Sequence, residues 1–182
     1  VATITIPANA TTATVTIDPT ADSAVEANET VILTVATGAG YLVGAPASAT
    51  GTILNDDVPT ATITVSPVST PENGAPNLVY TVALDAAPTS ALTVNVTLGG
   101  TAINGNDYAS TGTSVVIPAG STTQTIVINP NSDGTIEPDE TIIITLAAGA
   151  GYIVGTPASA TGTILNDDFP SISIGNATVT EG

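Results

Sequence analysis

Laid over itself at an offset of 111 positions, the chain matches without a gap: IPANATTATVTIDPTADSAVEANETVILTVATGAGYLVGAPASATGTILNDD, from Ile6, returns as IPAGSTTQTIVINPNSDGTIEPDETIIITLAAGAGYIVGTPASATGTILNDD, from Ile117. Self-similarity at such a period marks one folding unit seen twice. Residues 58–168 then read as one complete unit, 1–57 as the C-terminal part of a preceding unit with its last four strands, and 169–182 as the first strand of a following one. The fold must close within 111 residues and accept copies of itself at both ends.

Seven runs of the complete unit read as strands: 61–65, 78–85, 92–98, 114–117, 122–129, 140–147 and 158–165. They are rich in Val, Ile and Thr, often alternate apolar with polar residues, and end at Pro, Gly, Asn or Asp. Apolar spacing nowhere sustains the period of about 3.6 residues that a helix requires. The expectation is an all-β chain of tandem immunoglobulin-like, seven-stranded antiparallel β-sandwiches. A composition of 42% apolar and 9% charged residues supplies a core and argues against disorder. Threonine suits the solvent faces of the strands, because it has high strand propensity and its hydroxyl carries no charge. No apolar run approaches the roughly 20 residues of a membrane-spanning helix, and no segment resembles a targeting signal, so the chain reads as an excerpt of something longer without membrane insertion.

Charge narrows the possible partners. There are 16 acidic residues and no Lys, Arg or His, for a net charge of −16. Nucleic-acid affinity rests on basic side chains that neutralise phosphate, and anionic membrane surfaces attract the same groups, so neither partner is expected. With no Cys there is neither a disulfide framework nor a thiolate metal site. Without His, Lys or Cys, catalysis would fall to carboxylates alone. A glycosidase pair such as Glu137 and Glu140 would also need an aromatic-lined cleft, and the chain has four Tyr and one Phe, so a non-enzyme is expected.

The acids are also placed unevenly. If consecutive strands alternate in direction, the loops after the first, third and fifth runs and the exit of the seventh share one end of the sandwich. Glu72, Asp107, the acids from Asp133 to Glu140, and Asp167 with Asp168 all fall there. The opposite end, 86–91, 118–121 and 149–157, holds no acid. Two like charges about 4 Å apart repel by ~4 kcal/mol at an effective dielectric of 20, so a cation should sit among them. Oxygen-only ligands from flexible carboxylates suit Ca²⁺ better than octahedral Mg²⁺ or the softer metals.

At these residues the chain resembles the Calx-beta family, through GGTAINGNDYAS at 99–110, VVIPAGSTTQTIVI at 115–128, DGTIEPDETIIITL at 133–146 and ATGTILNDD at 160–168. The resemblance implies a seven-stranded sandwich with calcium at one pole. The implied ligands are Glu72, Asp107, Asp133, Glu137, Glu140, Asp167 and Asp168, repeated in the first part as Asp22, Glu26, Glu29, Asp56 and Asp57, with Glu181 opening the next unit. Calcium-binding members tend to carry three acids after the last strand, whereas this chain has Asn55 and Asn166 at the first position of each triplet. Fewer ions or weaker binding are expected in consequence.

The function expected is a calcium-stabilised structural repeat of an extracellular adhesin, stalk or surface filament. Its partners would be calcium ions, neighbouring repeats of the same chain and, in a filament, other copies. The site precedes Val58-Pro59 and Phe169-Pro170, where an ion would stiffen the passage into the next unit. Two alternatives stand beside this: a module recognising a glycan or protein, and a subunit completed by strands from another copy. The nearly identical segments ATGAGYLVGAP and AAGAGYIVGTP at the acid-free end favour the structural role. Sequons at Asn9, Asn28, Asn95 and Asn176 arise readily in so Thr-rich a chain.

Overall fold

A computed structural model describes residues 3–182, and the chain falls into two compact units, 1–56 and 57–182. The first contains strands β1 (Glu29–Thr34) and β2 (Ser48–Ile53). The second contains β3 (Thr60–Ser66), β4 (Ser69–Pro71), β5 (Leu78–Leu84), β6 (Leu92–Gly100), β7 (Ser114–Ile117), β8 (Thr123–Ile128), β9 (Glu140–Leu146), β10 (Ile153–Val154) and β11 (Ser159–Leu165). Among the described residues no helix is long and apolar enough to cross a membrane.

The second unit is a sandwich of a four-stranded sheet, ordered β10-β3-β5-β8, and a five-stranded sheet, ordered β4-β11-β9-β6-β7. Its core follows the two-residue period of the strands. Along β5, Leu78, Tyr80, Val82 and Leu84 turn inward, and along β9, Ile142, Ile144 and Leu146 do the same from the facing sheet. Two expectations need correction. The stretch after the first strand is not a loop throughout: Pro67, with no N–H to give, ends β3 after Ser66, and the chain resumes as β4 in the other sheet. Nor is pairing antiparallel throughout: β10 runs parallel to β3 and β4 parallel to β11. The second pairing decides the position of Glu72, whose amide donates to the Leu165 carbonyl at 2.9 Å, beside the exit of β11.

One side chain ties the sheets together through polar contacts. Tyr80 on β5 is fully buried; its hydroxyl donates to the Ile142 carbonyl of β9 at 2.7 Å and accepts from the Gly162 amide of β11 at 2.9 Å. Burial pushes the phenol pKa up to about 12, so it stays a neutral donor. Glycine is required at 162, since a Cβ there would lie 2.6 Å from the Tyr80 hydroxyl and 2.7 Å from Leu78 Cδ1.

In the first unit β1 and β2 pair antiparallel in the register of their counterparts: Glu29 faces Ile53 as Glu140 faces Ile164. The runs at 3–6 and 12–17, counterparts of β7 and β8, form no strand. In the complete unit β7 pairs with β6 and β8 with β5, and residues 1–56 contain no counterpart of either partner. Burial differs for the same reason: Leu33 is 45% exposed, while its counterpart Ile144 is fully buried. Residues 169–182, expected as the first strand of a following unit, are exposed and form no strand; β5, the antiparallel partner of β3, has no counterpart there.

Tyr80→Phe should cost about 1–3 kcal/mol in urea unfolding, because a buried carbonyl and amide both lose a partner. Gly162→Ala should be at least as damaging, whereas Gly51→Ala, at the equivalent repeat position, should be close to neutral because nothing lies within 4 Å of its Cβ.

Candidate metal centre

The seven acids expected in the complete unit converge on one end of the sandwich. Glu72 follows β4, Asp107 lies between β6 and β7, Asp133 and Glu137 lie between β8 and β9, Glu140 opens β9, and Asp167 and Asp168 follow β11. Their carboxylate oxygens assemble into three sets whose members lie within 4.8 Å of one another: Glu72 with Asp167 and Asp168, Glu72 with Asp133 and Glu137, and Asp107 with Glu137 and Glu140. Glu72 and Glu137 each belong to two sets, so the three form a continuous chain.

Local hydrogen bonds hold the loops in place. Asp107 Oδ2 accepts from the Ile103 amide and Oδ1 from Asn106 Nδ2, both at 2.6 Å. The same loop is fastened to the end of β8 by Asn131, whose Nδ2 donates to the Asn106 carbonyl at 2.6 Å and whose amide donates to the Asp107 carbonyl at 2.9 Å. Buried Tyr108 anchors it to the core. In the β8–β9 connection Asp133 Oδ1 accepts from the Thr135 amide at 2.6 Å, which lowers its pKa.

Electrostatically the arrangement is unbalanced. Glu72 is only 4% exposed, and its pKa is raised first by burial and then by Asp133, Asp168 and Glu137. Glu140 is pushed up to about 7 by burial and by Asp107, Glu137 and Glu72. Glu72 Oε2 and Asp168 Oδ2 are buried with no hydrogen-bond partner. Buried polar atoms are nearly always satisfied, and a buried anion needs a counter-charge. The sequence has no basic side chain to supply one. Hard oxygen donors, bridging carboxylates and orphaned buried anionic oxygens fit a divalent cation such as Ca²⁺.

Comparison with known proteins places the chain in a family. The sequence pattern of the Calx-beta domain matches residues 2–57 and 55–168. The chain belongs to the Calx-beta family. In structure it is similar to the apo-form Calx CBD1 domain, with 25% identity and a TM-score of 0.50 over 62% of this chain and 100% of that one. It is also similar to CBD12 from CALX1.2, with 24% identity and a TM-score of 0.50 over 60% of this chain and 46% of that one. The calcium binding domain CBD12 of CALX1.1 aligns at 26% identity and a TM-score of 0.48, over 58% of this chain and 44% of that one. The chain therefore spans under half of these two CBD12 structures. No curated protein matches in sequence. Calx-beta domains are calcium-binding domains.

Not every expected ligand enters a set. Among the described residues Asp22, Glu26, Glu29, Asp56, Asp57 and Glu181 belong to none. Residues 1–56 hold counterparts of the acids around β9 and β11 but none of Glu72 or Asp107, one or other of which enters every set. Asp139, next to expected ligands, serves the backbone instead, because its Oδ1 accepts from the Asn166 amide at 3.0 Å. Asp85 is likewise structural, accepting from the Thr60 amide at 2.7 Å. Sequence reasoning takes Asn166 only as a missing acid and overlooks its hydrogen bonds; its recurrence as Asn55 is the available signal.

A carboxylate whose pKa is raised by folding binds protons more readily in the folded state, so the metal-free protein gains stability as pH falls. For Glu140 the window runs from about 7 down to its ordinary value of 4.5. In chelator, thermal melts should rise between pH 8 and pH 5, and Glu72→Gln should raise the pH 8 melt while weakening calcium binding. A chelated melt independent of pH over that range would contradict this account.

Proposed function

We propose that this chain is a calcium-stabilised structural repeat of an extracellular surface protein, a stalk or filament built from such units in tandem. The observation that carries the calcium reading is the pair of buried oxygens, Glu72 Oε2 and Asp168 Oδ2, without partners inside a chain that has no cation of its own. Glu72, Asp167 and Asp168 would hold one ion, and the sets sharing Glu72 and Glu137 would extend the site. Bound Ca²⁺ supplies positive charge and fixed coordination; its role in this reading is cohesion rather than catalysis. Membership of the Calx-beta family, whose domains bind calcium, points the same way.

Several features support a structural role outside the cell. Weak calcium sites, with dissociation constants of about 10⁻⁴–10⁻³ M, serve extracellular modules, where calcium is abundant. The chain offers no Lys or Arg to trypsin-like proteases. Tyr152 at the acid-free end donates to the Ala147 carbonyl at 2.6 Å and accepts from the Asn95 amide at 3.0 Å, and so packs its loop rather than standing free for a ligand. Tyr41 makes the corresponding bond to the Ala36 carbonyl at 2.7 Å.

Calcium at roughly 10 to 100 times its dissociation constant should stabilise the folded unit by about 1.4–2.7 kcal/mol per site. That corresponds to a rise in Tm on the order of 10 °C. Differential scanning calorimetry with and without chelator measures it directly, and replacing Asp167 and Asp168 together with Asn should abolish most of the calcium response. A melt indifferent to chelator would remove the calcium reading.

A further inference from the structure

At the first position of the NDD triplet, where a third acid would stand, the chain has Asn166. Both the oxygen and the nitrogen of its side chain are engaged. Its Oδ1 accepts from the Glu137 amide at 3.3 Å, its Nδ2 donates to the Asp168 carbonyl at 3.1 Å, and its own backbone amide donates to Asp139 Oδ1 at 3.0 Å. Asn166 thus clips together the two segments that carry Glu137 and Asp168, which belong to different carboxylate sets.

The first unit repeats the arrangement with altered chemistry. Asn55 Oδ1 accepts from the Glu26 amide at 3.5 Å, and the Asn55 amide donates to Asn28 Oδ1 at 3.0 Å. The clip forms there although that unit consists of a two-stranded ladder, so it belongs to the β1–β2 and β9–β11 pairs themselves. The substitutions follow hydrogen-bonding capacity. Positions 28 and 139 need only accept, and they hold Asn in one copy and Asp in the other. Position 166 must accept and donate, which an amide can do and an ionised carboxylate cannot. A third carboxylate would also add a like charge beside buried, unpartnered Asp168 Oδ2.

We propose that Asn166 is a positioning residue for calcium: it presets the backbone beneath Glu137 and Asp168 before the ion arrives, without adding charge to the site. The proposal rests on the calcium reading above. Groups that orient a metal's ligands through hydrogen bonds are typically worth about 10–100-fold in metal affinity.

The test uses the chain as it stands, with calcium titrations by calorimetry and amide hydrogen exchange at Glu137 measured by NMR in chelator. Asn166→Ala should weaken calcium binding by roughly tenfold and speed exchange at the Glu137 amide, with the fold intact. Asn166→Asp, whose carboxylate still accepts, should return that amide to slow exchange. Asp139→Asn should leave both measurements unchanged, as the native Asn28 implies. Wild-type affinity in Asn166→Ala, unchanged Glu137 exchange, or no recovery in Asn166→Asp would each overturn the proposal. A flat wild-type titration would instead overturn the calcium reading itself, and with it this role for Asn166.

Discussion

A chain without one basic residue cannot neutralise a carboxylate by itself, and much of this structure follows from that constraint. A buried acid left unpaired in a strand would face a desolvation cost of several kcal/mol with nothing to offset it. The strands accordingly carry Thr on their outer positions, and the acids lie in loops or at strand ends. The acids that do approach one another gather at one end, where a single kind of external ion can serve them all. Glu72 is the extreme case: buried, shared between two carboxylate sets, and held beside the exit of β11 by a backbone hydrogen bond.

The strands were legible because alternation and turn residues are local signals. The seven runs lie within about two residues of β3, β5, β6, β7, β8, β9 and β11, the usual uncertainty of strand ends. The two shortest strands were not legible. β4 spans three residues and β10 two, too few to show a period, and each exists only because a neighbour offers a parallel ladder. Strand parity did suffice to place the complete unit's acids at one pole, since loop polarity depends on direction rather than on hydrogen-bonding partners.

The burial of Glu72 lay beyond sequence reasoning because it depends on the chain crossing between sheets after Pro67. Asn166 shows a different limit. Against a family pattern it registers as a lost ligand; in the fold its amide accepts one hydrogen bond and donates another, a combination closed to an ionised acid. The repeat also shows how far burial depends on context. Val31 and Leu33 occupy the same places in β1 as Ile142 and Ile144 in β9, yet only the latter pair is fully buried, because a strand's apolar face is defined by what covers it.

The site also has an unusual span along the chain. Glu72 and Asp168 stand at nearly opposite ends of the repeat, and they meet only when β4 lies alongside β11. Closing so long a segment carries an entropic cost that no partly folded chain can recover from the ion, because a partial set of ligands binds weakly. Cation binding therefore rewards completion: a repeat with β4 out of place loses both sets that contain Glu72 and keeps only that of Asp107, Glu137 and Glu140.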